Sequence, residues 1–114
     1  MKILLTGFEP FGESTLNPSQ KLIETIPARP FEDVEVLKAI LPVDHTQAPK
    51  LLIAQIKKHQ PNAVISFGLA SGRPKISLER EEVNLMDFRT PDNAGTTISD
   101  QAVIEGAPTA YFST

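Results

Sequence analysis

The chain has 114 residues, of which 40% are apolar, and this is enough for the core of one small domain but too few for two. With 14 acidic and 11 basic residues its formal net charge is -3, and no basic stretch has the density that nucleic-acid binding requires. No apolar run approaches the roughly 18 residues of a membrane helix, and the amino terminus lacks the pattern of a secretion signal. We therefore predict a soluble, cytoplasmic protein with neither nucleic acid nor membrane as partner.

The sequence contains no cysteine, so these residues include no disulfide, no thiolate metal site and no thiol nucleophile. The two histidines are interpreted as structural, His45 at the start of a helix and His59 near its end, where a protonated imidazole interacts favourably with the helix dipole. A metal site that includes Asp44 and His45 is the alternative, but no third ligand is evident. We predict no metal and no cofactor.

Strand-like and helix-like patterns alternate along the first 68 residues. The predicted elements are a strand at 2–6, a helix from Pro18 with Asn17 as its cap, a strand at 34–41, a helix at 45–60 and a strand at 63–68. Pro49 fits the second helix only in its first turn. The last strand is almost continuously apolar, which is typical of a parallel strand covered on both faces. The alternation predicts a three-layer α/β/α sandwich with a mixed, mostly parallel sheet.

The remaining residues have weaker patterns. Extended segments are predicted at 76–78 and 83–88, separated by the charged run 79–82, and 90–107 is predicted to be a loop. The chain finishes on an apolar, partly aromatic stretch with no terminal helix or polar tail. We therefore expect residues 1–114 to be the N-terminal part of a single domain whose fold is incomplete.

Two loops follow predicted strands and are candidates for a ligand site, because loops at the carboxyl ends of strands form the crevice of open α/β sheets. The loop at 7–12 contains Phe8 and Phe11, which could clamp a flat apolar ring or simply pack in the core. It lacks the glycine spacing and the lysine of a phosphate loop. The loop at 68–73 has small residues that permit close approach of a ligand, or it is a glycine turn with a solvated arginine.

Charged residues further along offer two more candidates. Glu79 begins a run that includes Glu81 and Glu82, and a carboxylate there could orient a histidine, act as an acid or base, bind a metal, or only be solvated. Spacing does not rank the three glutamates. Arg89 lies among turn residues, where it could stabilise an oxyanion or a carboxylate, or pair with a neighbouring aspartate to order the loop.

Taken in order, the motifs resemble those of the pyroglutamyl peptidase I family, also called pyrrolidone carboxyl peptidases. Thr-Gly-Phe-Glu-Pro-Phe-Gly at 6–12 is similar to the opening motif of that family, and Asn-Pro-Ser follows at 17–19 with the family's spacing. Further similar segments recur in family order at 41–43, 68–73, 77–80, 83–84, 87–93 and 106–113. The resemblance covers nearly the whole chain.

The resemblance implies a thiol protease, a hydrolase that removes the N-terminal pyroglutamyl residue from peptides with a Cys-His-Glu triad. Glu79 matches the triad carboxylate. Phe8 and Phe11 match the aromatic residues that sandwich the pyrrolidone ring, and Leu69 matches a wall of the same pocket. Arg89 matches an arginine close to the reacting carbonyl. The implied partners are a peptide with an N-terminal pyroglutamate and further copies of the chain, since family members commonly form homotetramers.

The family's cysteine and histidine lie further along than residue 114, and His45 and His59 match neither. Residues 1–114 alone are therefore predicted to be inactive. The chain also departs from the family at Glu81 and Glu82, which replace small apolar residues, and at 44–45, which is often apolar. The alternative hypothesis is an inactive homologue that acts as a binding or assembly module.

Overall fold

The computed structural model describes residues 1–114 and contains five strands and two helices. In chain order these are β1 (Lys2–Phe8), α1 (Pro18–Thr25), β2 (Glu35–Leu41), α2 (Gln47–His59), β3 (Ala63–Ser66), β4 (Glu81–Val83) and β5 (Ala110–Phe112). The first three strands form a parallel sheet in the order β2-β1-β3, and β4 and β5 form a separate antiparallel pair. Because the two crossovers run in opposite directions and such crossovers are right-handed, α1 and α2 cover opposite faces of the sheet. The predicted layered, mostly parallel fold is confirmed.

The core lies between α1 and the sheet. Leu5, Ile23 and Val36 form its buried cluster. Close packing here depends on Gly7, because a Cβ atom at that position would lie 2.7 Å from the backbone oxygen of Ser19. The strand that carries the first loop is thereby held directly against the start of α1.

Both predicted helices are present, with their ends set by specific contacts. The side chain of Asn17 accepts a hydrogen bond from the backbone N–H of Ser19 at 3.0 Å, so it caps α1 as predicted. The second helix begins two residues later than predicted, because the Asp44 carboxylate accepts from the backbone N–H groups of Thr46 and Gln47 at 2.8 and 2.9 Å. Pro49 falls in its first turn, as predicted. Neither helix has the length and apolar character needed to cross a membrane.

The prediction that the third strand is covered on both faces is wrong for this chain. All four residues of β3 are exposed, including Val64 at 39% and Ile65 at 45%. β3 pairs only with β1 and is therefore an edge strand of the sheet. Its apolar composition alone does not specify which atoms pack against it.

The predicted strands beyond residue 70 are also partly wrong. No strand forms at 76–78, where Ile76 and Leu78 are 93% and 97% exposed. β4 instead occupies part of the charged run, and the predicted segment at 83–88 contributes only Val83 and a single bridge from Met86 to Gln101. Pairing with β5 decides this placement, since ladder hydrogen bonds come from the backbone and do not require apolar side chains.

Candidate functional site

A cavity of about 870 Å³ opens at the carboxyl ends of the parallel strands. The connection from β1 leads to β2 on one side of the sheet, and the connection from β2 crosses to β3 on the other side. The carboxyl ends of β1 and β3 therefore form the topological switch point of the sheet. The cavity is lined by the end of β1 and the segments that follow β1, β2 and β3, together with Met86, residues 88–92 and Val103. In open α/β sheets this is the usual location of a ligand.

Four of the five residues predicted from the sequence line this one cavity. They are Phe8, Phe11, Leu69 and Arg89. Neither phenylalanine belongs to the buried core, so the alternative in which both are core residues is wrong. The lining is rich in apolar side chains and includes few charges, as is typical of a small-molecule site.

Glu79, the fifth predicted residue, does not line the cavity. Its side chain is 59% exposed, and its Oε1 atom accepts a hydrogen bond from Nη1 of Arg73 at 2.6 Å. An exposed ion pair of this kind contributes about 0–1 kcal/mol to stability. The second carboxylate oxygen, Oε2, accepts no hydrogen bond. Arg73 is 56% exposed, so the interpretation of a solvated arginine holds, with this ion pair in addition.

Arg89 makes no ion pair. The alternative in which it pairs with Asp87 or Asp92 is therefore wrong, because Asp92 pairs with His45 instead. The ion pairs between permanently charged side chains are Lys21 with Glu24 and Arg73 with Glu79. The guanidinium of Arg89 is consequently available to a ligand in the cavity.

The loop at residues 7–12, which contains Phe8 and Phe11, is the aromatic loop of this site. It is anchored by buried polar groups at its base. The backbone N–H of Phe8 donates to Oγ of Ser19 at 3.0 Å, and that hydroxyl donates to Oδ1 of Asn17 at 2.8 Å. Nδ2 of Asn17 returns to the loop by donating to the backbone oxygen of Glu9 at 3.0 Å. These contacts restrict the backbone that carries the phenylalanines.

A second network joins three segments around the cavity, and sequence reasoning did not find it. Oε1 of Glu9 accepts from the backbone N–H of Val43 at 3.2 Å and from Nδ2 of Asn93 at 2.9 Å. Asn93 also donates through Nδ2 to the backbone oxygen of Pro10 at 2.9 Å and through its N–H to that of Val43 at 2.8 Å. The only sequence feature that could have indicated this network was the charged residue Glu9 inside the aromatic loop.

His45 lies at the cavity, a placement that was also missed. It precedes α2 rather than beginning it, and its Nδ1 atom lies 2.8 Å from Oδ2 of Asp92. The ring of Phe88 meets the imidazole in a T-shaped arrangement, with centroids 5.8 Å apart. Because 47 residues separate the two hydrogen-bonded partners, no local pattern could have indicated this contact.

Hydrogen bonds hold both nearby aspartates in the ionised form. The side chain of His45, followed by the backbone N–H of Thr96, lowers the pKa of Asp92 from its ordinary value of 3.8 to about 2. The pKa of Asp44 is lowered chiefly by the backbone N–H of Gln47 and then by the side chain of Thr46. This side of the cavity therefore has two negative charges near its single imidazole.

Polar atoms of Asp44, His45 and Asp92 lie within 4.8 Å of one another, a spacing that could hold a metal ion. Oδ1 of Asp44, Nδ1 of His45 and both carboxylate oxygens of Asp92 are already used within the protein, however. Oδ1 of Asp44 accepts three hydrogen bonds at the start of α2. The oxygens of Asp92 accept four, two of them from His45. The arrangement is best described as a helix cap beside a hydrogen-bonded histidine and aspartate.

The Asp92 carboxylate is expected to make the free energy of unfolding depend on pH in the acid range. Because its pKa is lower in the folded chain than in the unfolded one, its stabilising effect is present above pH 3.8 and is lost as the pH falls towards about 2. We expect Asp92→Asn to lower the free energy of unfolding at neutral pH, with the difference from the parent shrinking across that window. Urea titrations at several pH values measure this.

Asp33→Asn is the matched control, since the Asp33 side chain makes no hydrogen bond and lies at the opposite end of the sheet. The lowered pKa assigned to Asp92 would be contradicted if the parent and the Asp92→Asn variant differed in free energy of unfolding by the same amount from pH 4 to pH 2.

Comparison with known proteins identifies close relatives over the whole chain. The model of the family described as pyroglutamyl peptidase matches residues 1–114. A pyrrolidone-carboxylate peptidase of Pyrococcus furiosus is 43% identical over 114 residues, which are 100% of this chain and 55% of that protein. One of Vibrio vulnificus strain YJ016 is 43% identical over 113 residues, with 99% and 53% coverage.

Solved structures agree with these matches. A point mutant of pyrrolidone carboxyl peptidase from P. furiosus superposes with a TM-score of 0.95 at 43% identity, covering 100% of this chain and 55% of that one. A structure of the P. furiosus protein and its Cys-free mutant matches with the same score. The chain thus spans about half the length of the relatives it matches.

Proposed function

Because the chain belongs to the pyroglutamyl peptidase family, we propose that the intact protein is a cysteine-type peptidase that removes N-terminal pyroglutamyl residues from peptides. The observation that carries the proposal is the convergence of Phe8, Phe11, Leu69 and Arg89 on one cavity. These residues come from three separate segments of the sequence. A flat, uncharged pyrrolidone ring suits an apolar cavity with aromatic walls.

In this proposal the residues of the chain do part of the chemistry. Phe8 and Phe11 hold the ring, and Leu69 forms a wall beside it. The cation of Arg89 favours the oxyanion that develops when a thiolate attacks the pyroglutamyl carbonyl. Glu79 orients the histidine that acts as base, and its free Oε2 atom is available to accept from an imidazole N–H.

The nucleophile and the base are proposed to belong to the segment that the relatives have beyond the matched residues. Residues 1–114 contain no cysteine. His45 is already paired with Asp92, and the side chain of His59 makes no contact with the cavity. The chain of 114 residues is therefore expected to bind the ring without cleaving a peptide.

Assembly and location are part of the same proposal. The intact protein is proposed to be a cytoplasmic homotetramer. Exposed apolar side chains on the second half of the chain, among them Ile76, Leu78 and Phe112, are consistent with surfaces covered by further protein. Light scattering on the intact protein would measure the number of subunits.

A second candidate function is a binding or assembly module without hydrolysis. It is favoured by one observation, that residues 1–114 have a cavity lined by aromatic side chains but no thiol. The two candidates predict different behaviour of the intact protein. Only the peptidase releases a fluorophore from a pyroglutamyl substrate in a thiol-dependent manner.

The ring-binding role of the aromatic loop is tested by calorimetric titration of the chain with pyrohomoglutamate. We expect Phe8→Ala and Phe11→Ala each to weaken binding about 10- to 100-fold, because each removes apolar contact area from the ring. Phe31→Ala is the matched control, since Phe31 is exposed and does not line the cavity. Unchanged affinity in both cavity variants would contradict the ring-binding role of the two phenylalanines. Cleavage of a pyroglutamyl substrate by the chain itself would contradict the proposal that the nucleophile lies outside residues 1–114.

A further inference from the structure

We propose that Glu9 is a positioning residue: its carboxylate holds the Arg89 arm, residues 86–101, against the aromatic loop and so fixes the position of Arg89 at the cavity. The role deepens the proposed function and rests on it, since Arg89 is taken there to act on the reacting carbonyl. It is carried by the hydrogen bonds of Glu9 and by the way in which the arm is attached to the rest of the chain.

The Arg89 arm is an irregular hairpin. Backbone hydrogen bonds join its two sides, in which the N–H groups of Met86, Phe88 and Asp92 donate to the carbonyl oxygens of Gln101, Ile98 and Thr96 at 2.6, 2.7 and 3.0 Å. Arg89 lies between the second and the third of these bonds. No strand of the parallel sheet pairs with the arm, so its position depends on contacts other than a strand ladder.

The tip of the Arg89 arm is its point of attachment to the first part of the chain. Every hydrogen bond between the arm and residues 1–70 is made by Asp92 or Asn93. Phe88 adds a T-shaped packing contact with His45. Arg89 is therefore held at the cavity chiefly through bonds made at a tip a few residues further along.

The tip is a self-bonded turn, which presents Asn93 in a fixed position. Oδ1 of Asp92 accepts from the backbone N–H groups of Ala94 and Thr96 at 3.0 and 2.9 Å. The N–H of Gly95 donates to the backbone oxygen of Asp92 at 2.9 Å, and Gly95 has a φ of +80°, which glycine adopts without strain. A displacement of Asn93 therefore moves the whole tip.

Glu9 faces the tip from the aromatic loop, and both its backbone and its side chain are held. Its N–H donates to the backbone oxygen of Leu41 at 3.0 Å, and its carbonyl oxygen accepts from Nδ2 of Asn17 at 3.0 Å. Oε1 accepts from the N–H of Val43 at 3.2 Å and from Nδ2 of Asn93 at 2.9 Å. Because the first three of these bonds are made within the first half of the chain, the carboxylate is oriented independently of the arm.

The bond from Asn93 to Glu9 thus connects the two sides of the cavity. Phe8 and Phe11 lie on the same loop as Glu9, whereas Arg89 lies on the arm, and all three of these side chains line the cavity. A misplacement of about 1 Å in a group that acts on a reacting centre can lower the rate roughly 100-fold. Glu9 is therefore expected to affect the reaction through the position of Arg89.

The test is a double-mutant cycle on the intact protein with a fluorogenic pyroglutamyl substrate. We expect Glu9→Ala to lower kcat about ten- to 100-fold and to change KM less than about threefold, because it releases the arm. In the Arg89→Gln background the same substitution should lower kcat less than about twofold, since Glu9 acts through Arg89. Glu9→Gln should recover most of the loss, because the amide oxygen still accepts from both N–H donors.

Two further variants complete the experiment. Glu13→Ala is the matched control, because Glu13 is an exposed glutamate just after the aromatic loop and makes no ion pair. Its kcat should equal that of the parent. Asn93→Ala removes the same contact from the arm, and its kcat should fall as in Glu9→Ala, with no further loss when the two are combined. Asn93 is exposed, so this variant decides the question if Glu9→Ala does not fold.

Equal losses of kcat from Glu9→Ala in the parent and in the Arg89→Gln background would overturn the inference, since Glu9 would then act independently of Arg89. A loss confined to KM, or no recovery in Glu9→Gln, would overturn it as well. An intact parent that cleaves no pyroglutamyl substrate would overturn the proposed function itself. The activity of the parent therefore shows which of the two has failed.

Discussion

Glu79→Gln is expected to lower kcat/KM for a fluorogenic pyroglutamyl substrate about ten-thousandfold, the effect of removing the orienting carboxylate from a catalytic triad. The measurement uses a chimera in which residues 1–114 precede the segment that the P. furiosus relative has beyond the matched part. The neutral amide retains the size of the side chain, but it cannot stabilise an imidazolium. The substrate KM is expected to change little, because Glu79 does not line the cavity.

The chain offers matched controls for this experiment. Glu81 and Glu82 lie in β4 and are exposed. They have the same side chain as Glu79 and lie close to it in the sequence. Glu81→Gln and Glu82→Gln are expected to leave kcat/KM within about threefold of the parent, as surface charges have small effects. If one of them lowered activity as much as Glu79→Gln, the choice of glutamate would be wrong.

Arg73 provides a further distinction, because it is the present partner of Glu79. If Glu79 acts only through this exposed ion pair, Arg73→Gln and Glu79→Gln should have equal effects. If Glu79 orients a histidine, Arg73→Gln should cost far less activity than Glu79→Gln. The pH profile of kcat separates them too, since loss of the carboxylate changes the apparent ionisation of the base.

The second large effect is expected at Arg89. In the same chimera, Arg89→Gln is expected to lower kcat about 100- to 1,000-fold, comparable to the loss of one donor from an oxyanion hole. The structural basis is that Arg89 lines the cavity and is not committed to an ion pair. Because the interaction strengthens as charge develops on the carbonyl oxygen, kcat should fall more than substrate affinity.

Arg29→Gln is the control for the loss of one positive charge, since Arg29 lies at the opposite, amino end of the sheet. Its activity should match that of the parent. A fall confined to KM in Arg89→Gln would indicate ground-state binding instead, and no change in either constant would exclude the proposed role.

The local elements near the amino terminus were predictable because their signals are local. Asn17 and Pro18 specify the start of α1 through a side-chain cap and a fixed φ angle. Similarly, the alternation of apolar strands and amphipathic helices was sufficient to predict the layered α/β arrangement. Ala48, Leu52 and Ile56 are the half-buried face of α2, as their spacing indicates.

The errors occur where pairing between distant segments decides the structure. An apolar run such as β3 cannot specify how many of its faces are covered, and Ile76 and Leu78 form no strand because no partner strand lies beside them. Conversely, the charged residues of β4 form a ladder because β5 supplies the backbone groups. Composition carries no information about these pairings.

By itself the sequence determined the fold class, the two loops after β1 and β3, and the motifs that match the family. Only the tertiary structure decided that Phe8, Leu69 and Arg89 share one cavity while Glu79 does not. The same is true of the contacts that Glu9 makes with Asn93. The physical reason is that motifs and caps depend on neighbours within a few residues, whereas a cavity depends on where distant strands end in the sheet.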